Sequence, residues 1–168
     1  MNWLLPLIFS LAPAQDAERL AFVAQAMHAV SDSHEVFCGP RAHEANALAL
    51  AVIASHESGY SEDVQACERT GDGGASISLW QLHRGTGWTT KAERLQICED
   101  TELAAWLALE HLARFRRAGT VRGMFAGYHM GDYRARSEAS DSMSVAFGWH
   151  AGRLGMTIRA VGPCLEAR

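Results

Sequence analysis

Apolar residues recur at helical spacing along most of the chain, and this pattern predicts a mainly α protein. The first such segment covers about residues 16–30, where the apolar positions are Leu20, Val23, Met27 and Val30. The second covers about residues 42–57 and is Ala-rich and apolar through its middle, which is typical of a central, buried helix. Gly59 follows this segment and predicts its end.

Three further helices are predicted in the second half of the chain. The first of them begins near Asp100, a good N-cap residue, and ends at Gly119 after a run of cationic residues that suits a helix C-terminus. The other two cover about residues 121–129 and 142–161. Trp106 falls on the apolar face of the helix that begins near Asp100, which predicts core packing for its ring.

The stretches between these helices have the composition of loops. Residues 61–78 and 84–90 are rich in turn-forming residues, and LWQLH at residues 79–83 fits either a short helix or an extended segment. Strand patterns are scarce, and neither an internal repeat nor a low-complexity linker occurs. We therefore expect a single mainly α domain over residues 15–168, with a hydrophobic content of 48% that is sufficient for a core.

The N-terminal segment MNWLLPLIFSLAPA resembles a secretory signal peptide. Its apolar run is followed by Ala12-Pro13-Ala14, which fits the small-x-small cleavage pattern, although no Lys or Arg precedes the run. The sequence thus predicts a signal peptide over residues 1–14, a mature chain from Gln15 and a periplasmic or secreted location. The alternative is an apolar N-terminal element packed on the domain. The run is too short for a stable membrane span.

The cysteine content agrees with export. Four cysteines are present, and an even number in an exported domain predicts two disulfides. Of the three possible pairings we favour Cys67–Cys98, across the glycine-rich segment, together with Cys38–Cys164, which ties the two ends together. The alternative is four reduced thiols in a cytosolic protein.

Charge and histidine spacing exclude several classes of function. A net charge of −4 with a pI of about 6.0 gives no basic surface for nucleic acid and no strong attraction to an anionic membrane. His43-Glu44 and His56-Glu57 do not continue as H-E-x-x-H, and no cysteine pair is spaced C-x-x-C. We therefore expect neither a metal nor any other cofactor.

Glu57 is the residue with the clearest chemical promise, because it follows the apolar helix directly and precedes a flexible loop. A carboxyl group partly withdrawn from water holds its proton more firmly and can protonate a leaving group. Cleavage of a glycosidic bond requires such an acid. The acidic loop residues Asp72 and Glu62 or Asp63 are candidates for a second carboxylate, and Trp88 is the best candidate for stacking on a sugar ring.

Three short motifs resemble, in order, those of the lytic transglycosylase and goose-type lysozyme superfamily. Glu57-Ser58-Gly59-Tyr60 resembles E-S-x-[FY], residues 75–81 (ASISLWQ) resemble G-A-x-G-L-M-Q, and residues 126–131 (AGYHMG) resemble A-x-Y-N-x-G. This chain has Ser78, Trp80 and His129 where the family has Gly, Met and Asn. The resemblance covers roughly residues 42–155.

The resemblance implies a lysozyme-like fold and cleavage of peptidoglycan glycan strands between N-acetylmuramic acid and N-acetylglucosamine by a monomeric enzyme. It makes Glu57 the catalytic acid and base, with no second essential carboxylate if the sugar's own C6 hydroxyl closes a 1,6-anhydro ring. The substrate-binding residues that it predicts are Ser58, Tyr60, Gln81, Tyr128 and His129. The alternative is a lysozyme-like module that binds peptidoglycan without cutting it.

Overall fold

The apolar segment predicted as a central helix lies at the centre of the core. In the computed structural model of the protein, which describes residues 3–156, it is helix α3, Ala42–Ser58, and every residue from Ala45 to Ala54 is buried. A helix that is buried on all sides needs neighbours all round it. Helices α1, α2, α6 and α8 pack against α3.

The remaining elements follow a simple order. The helices are α1 Leu4–Leu11, α2 Ala17–Val30, α3 Ala42–Ser58, α4 Glu62–Gln65, α5 Lys91–Glu99, α6 Thr101–Ala113, α7 Val121–Met130 and α8 Glu138–Arg153. Two short strands, β1 Ser76–Ile77 and β2 Leu82–His83, pair antiparallel, and 3-10 turns occupy Asp72–Gly74 and Arg116–Ala118. The prediction of a mainly α protein in one domain is confirmed.

The predicted helix starts are set by side-chain caps. Asp16 accepts a hydrogen bond from the Arg19 amide at 2.8 Å, and Asp100 accepts one from the Leu103 amide at 2.9 Å. Both carboxylates satisfy backbone N–H groups that have no partner within their helices. Helices α2 and α6 therefore begin where the sequence predicts.

Some boundaries were predicted wrongly. Helix α6 ends at Ala113 and a separate 3-10 turn precedes Gly119. Helix α8 begins four residues early, because Ser137 forms a capping box with Ser140, and it ends at Arg153 before a turn at Gly155. The part of that prediction from residue 157 onward lies outside the described residues.

Helix α5 and the hairpin were not predicted as such. Helix α5 buries only Ile97, so it lacks a periodic apolar face, and its main local signal is the capping box of Thr90 and Glu93. Of the two alternatives predicted for residues 79–83, the extended segment is confirmed for Leu82–His83, whereas residues 79–81 lie in the turn between the strands. Trp106 was expected in the core but is 37% exposed, with the edge of its ring against His34.

The N-terminal apolar run forms helix α1, which packs on α2 and α3 and buries Leu4 and Ile8. This is the packed arrangement that was the alternative to a signal peptide; whether residues 1–14 are cleaved stays a prediction. Within residues 3–156, no helix combines the length and apolar character needed to cross a membrane.

The predicted Cys67–Cys98 disulfide is present, with Cα atoms 5.6 Å apart. It joins the segment after α4 to helix α5, so the loop that follows Glu57 is tied to the body of the domain. The other predicted bridge involves Cys164, which lies outside the described residues.

Candidate active site

Two open clefts meet at Glu57. The larger, about 520 Å³, lies between the hairpin segment and helix α7, and the smaller, about 330 Å³, lies beside α4. Glu57 and Gln81 line both clefts. The larger cleft is also lined by Asp72, Ser76, His83, Thr86, His111, Tyr128, His129, Met130 and Gly131, and the smaller by Ser58, Val64, Arg69, Thr70 and Gly71.

Glu57 lies in the last turn of α3 and is held largely away from water. Its side chain is only 14% exposed, and its Oε1 lies 3.0 Å from Nδ1 of His129 on α7. The preceding run to Ala54 is fully buried, so the helix itself fixes the position of the carboxylate at the surface of the domain. A carboxyl group in this setting can donate a proton to a bound molecule and take one back.

Ser58 stabilises the helix end that carries Glu57. Its hydroxyl donates to the Ala54 carbonyl at 2.8 Å and accepts a hydrogen bond from the Tyr60 amide at 3.2 Å. Gly59 adopts left-handed backbone as the C-cap, with φ of 59°, a conformation that glycine takes without strain. Ser58 lines the smaller cleft, but its hydroxyl is engaged by the backbone.

Tyr60 is not on the surface of either cleft. Its side chain is fully buried, and its hydroxyl donates to the Ala51 carbonyl at 2.8 Å. Burial raises the pKa of the Tyr60 phenol, so the ring stays neutral. The residue was predicted to bind substrate, whereas its observed contacts anchor the loop after α3 to the core.

Gln81 lies in the hairpin turn, between the two clefts. Its Nε2 donates to the Ser78 carbonyl at 3.2 Å, and its backbone has φ of 48°. Gly71 leaves room for this side chain, since a Cβ atom at position 71 would lie 2.2 Å from Oε1 of Gln81. The neighbouring residues thus hold the Gln81 side chain so that its amide lies where the two clefts join.

Tyr128 connects α7 to the hairpin turn. Its hydroxyl donates to the Trp80 carbonyl at 2.7 Å, and the Trp80 indole donates in turn to the Leu50 carbonyl at 3.1 Å on α3. Burial, and to a lesser degree the negative charge of Glu57, raises the pKa of Tyr128 well above its usual range. Tyr128 therefore lines the larger cleft as a neutral ring.

The structure brings together Glu57, Gln81, Tyr128 and His129, four of the residues predicted for the site. Asp72 also lines the larger cleft, where its carboxylate accepts a hydrogen bond from the Ser76 hydroxyl at 2.7 Å.

The other predicted contributors lie elsewhere. Glu62 and Asp63 line neither cleft, and Asp63 instead bonds Ser61 and pairs with Arg69. Trp88, the predicted stacking residue, is buried, and its indole donates to the Leu82 carbonyl at 3.1 Å.

His83 and His111 were missed as cleft residues. His111 reaches the larger cleft from α6, with its ring 5.0 Å from that of Tyr128 in an edge-on arrangement. Burial first, and then the positive charge of Arg114, lowers the pKa of His111. An apolar-patterned helix such as α6 gave no signal that its histidine would reach a cleft.

The part of the chain that the structure describes contains no cluster of three or more His, Cys, Asp or Glu side chains arranged to hold a metal ion. In comparisons with known proteins, no family model, no curated protein and no solved structure matches this chain. The geometry of the clefts and the three motifs that meet in them are therefore the features that bear on function.

Proposed function

We propose that the protein is a peptidoglycan-cleaving glycosidase with a lysozyme-like fold, of the lytic transglycosylase type, and that Glu57 is its catalytic acid and base. The observation that carries this proposal is the position of the Glu57 carboxylate, mostly withdrawn from water where two open clefts meet. The meeting of the three resembling motifs at this point supports it further.

The two clefts favour a polymeric substrate. A small molecule would need a single pocket, whereas a chain cut in its interior needs binding surface on both sides of the reacting bond. Glu57 and Gln81 face both clefts, which is the arrangement that an acid for internal cleavage requires. Polar side chains such as Asp72, Thr86 and Arg69 offer hydrogen-bonding partners for sugar hydroxyl and amide groups.

In the proposed mechanism, protonated Glu57 donates its proton to the glycosidic oxygen as the bond from that oxygen to the anomeric carbon breaks. The sugar on one side leaves as an alcohol, and an oxocarbenium-like centre forms on the other. Glu57, now a carboxylate, accepts the proton of the attacking hydroxyl. If that hydroxyl is the sugar's own C6 group, the product is a 1,6-anhydro end and Glu57 regains its proton.

Water is the alternative nucleophile, and Asp72 is the residue that favours this route because its carboxylate lines the same cleft as Glu57. Hydrolysis would leave a reducing end, which is heavier than the anhydro end by one water. Mass spectrometry of the fragments released from purified sacculi separates the two products. We expect anhydro ends, because the three motifs resemble those of lytic transglycosylases.

A module that binds glycan strands without cutting them is the second candidate. The bond between Glu57 and His129 favours it, because one oxygen of the carboxylate is already occupied. Such a module would sediment with insoluble peptidoglycan and release no soluble fragments from it.

The decisive variant is Glu57→Gln, which keeps the shape of the side chain and removes the acid. We expect release of soluble fragments from sacculi to fall by about 10²–10⁴-fold, the usual contribution of a general acid, while cosedimentation with sacculi is retained. Glu62→Gln on α4 is the matched control, since Glu62 is exposed and lines neither cleft. Equal rates for Glu57→Gln and the parent protein would remove Glu57 from the mechanism.

A further inference from the structure

The contact between His129 and Glu57 has consequences for the proposed reaction. Nδ1 of His129 lies 3.0 Å from Oε1 of Glu57, and the two side chains are 31% and 14% exposed. Among residues 3–156, no second hydrogen bond to the Glu57 carboxylate is present. The group that must deliver a proton thus has an imidazole as its direct partner.

An imidazole is a stronger base than a carboxylate, by about two pH units in model compounds. When the two groups hold one proton between them, that proton lies mainly on the imidazole, and the pair consists of an imidazolium and a carboxylate. The form needed for acid catalysis has the same number of protons but carries this one on the carboxyl group. The fraction of molecules in this second form therefore does not change with pH over the range in which the two side chains hold one proton between them.

We propose that His129 is a positioning residue that withholds the catalytic proton from Glu57 in acid, so that the rate of cleavage levels off below neutral pH instead of continuing to rise. This inference rests on the proposed function of Glu57. Histidine at position 129 would then limit the enzyme under acidic conditions and leave its activity near neutral pH intact.

Other titratable or charged groups surround Glu57 without bonding to it. His56 precedes it on α3, and burial lowers the pKa of that imidazole more than the charge of Glu57 raises it. Tyr128 on α7 stays neutral, and the remaining neighbours that line the clefts are Asp72, His83, His111 and Arg69. All of them are unchanged in variants at position 129, so a comparison of such variants isolates the effect of His129.

The test is the pH dependence of fragment release from sacculi by the parent protein and by His129→Asn. The amide nitrogen of Asn takes the place of Nδ1 and can donate the same hydrogen bond, but it cannot take up a proton. We expect equal rates above about pH 8, and at pH 5 a rate for His129→Asn that is higher on the order of tenfold, because only the parent protein can hold the shared proton on an imidazole. Parallel profiles for the two proteins would overturn the proposal.

His129→Gln provides the control for geometry. Its amide reaches the position of Nε2 rather than Nδ1, so the hydrogen bond to Oε1 is lost. We expect this variant to be slower than His129→Asn at every pH, because the carboxyl group is no longer oriented. Equal rates for the two variants at every pH would mean that orientation of the carboxyl group plays no part, and His129 would not be a positioning residue.

A second measurement does not depend on activity. Nuclear magnetic resonance at pH 5.5 should show a proton on Nδ1 of His129 at low field, and Glu57→Gln should move it upfield, because an amide is a weaker acceptor than a carboxylate. If this proton is found but sacculi are not cut at any pH, the proposed function fails and the pairing stands. If sacculi are cut but the proton is absent from Nδ1, the pairing is wrong while the proposed function survives.

Discussion

At the scale of single residues, the turn that carries Gln81 holds backbone strain. Ser78 and Gln81 have φ of 65° and 48°, and Tyr60, Cys67 and Asp72 in the same part of the chain also have positive φ. Left-handed backbone costs a residue with a Cβ atom roughly 1–2 kcal/mol. Of these residues, Gln81 and Asp72 line the larger cleft, and unusual backbone of this kind often occurs in binding sites.

Ser78 offers a direct test of this strain. Its hydroxyl is also buried without a hydrogen-bond partner, so Ser78→Gly removes both an unfavourable φ and an unsatisfied polar group. We expect the free energy of unfolding to rise by about 1 kcal/mol after the greater flexibility of unfolded glycine is subtracted.

Urea denaturation measures the change at Ser78. The control is Ser142→Gly on the exposed face of α8, where the same replacement in an ordinary helix should lower stability by about 0.5 kcal/mol. A loss of stability in both variants would show that Ser78 is not strained.

At the scale of elements, hydrogen bonds join α7, the hairpin turn and α3 in series. Tyr128 bonds the Trp80 carbonyl, and Trp80 bonds the Leu50 carbonyl. Because Gln81 follows Trp80 directly, the position of the cleft-lining amide depends on the hydroxyl of Tyr128. The hairpin itself has only two residues in each strand, so this link to the helices stabilises its turn.

Tyr128→Phe breaks this link without emptying the core. We expect the free energy of unfolding to fall by about 1 kcal/mol, and fragment release from sacculi to fall about tenfold because the turn loses its orientation. Tyr60→Phe is the matched control, since its buried hydroxyl also bonds a carbonyl, that of Ala51, but lines neither cleft. Similar losses of activity in the two variants would contradict a specific role for Tyr128.

The sequence predicted the elements whose pattern is local. An apolar run, a cap or a terminating glycine depends on nearby residues, so α2, α3 and the start of α6 were predicted closely, and Glu57 could be placed at the end of a buried helix. Helix α5 was missed because it fully buries a single side chain, Ile97, and so shows no periodic apolar face. His111 was missed because its approach to the cleft depends on how α6 crosses α7, which no local pattern records.

At the scale of the whole molecule, partial withdrawal from water affects several histidines. It lowers the pKa of His56, His111 and His150. In mildly acidic solution the unfolded chain therefore binds more protons at these residues than the folded chain does. The stability that follows from this is fully present above the unfolded pKa of about 6.5 and is lost as pH falls through the lower folded values. The fold should therefore begin to lose stability at a mildly acidic pH.

A second loss should follow at lower pH from carboxylates held by hydrogen bonds. Bonds from the amides of Thr90 and Thr89 lower the pKa of Glu93 to about 2, and the Arg122 guanidinium lowers that of Asp141. For such groups the folded pKa lies below the unfolded one, so their contribution is present above about pH 4.5 and disappears below it.

Urea denaturation at a series of pH values tests both steps. We expect the free energy of unfolding to be flat near pH 7.5–8, to decline from about pH 6.5 downward, and to decline again below about pH 4.5. His111→Gln should reduce the first decline, by about 1.4 kcal/mol for each pH unit by which burial displaces the pKa of that imidazole, and should leave the second unchanged. A first step of equal size in His111→Gln and the parent protein would mean that the cleft admits enough water for His111 to be protonated in the folded state.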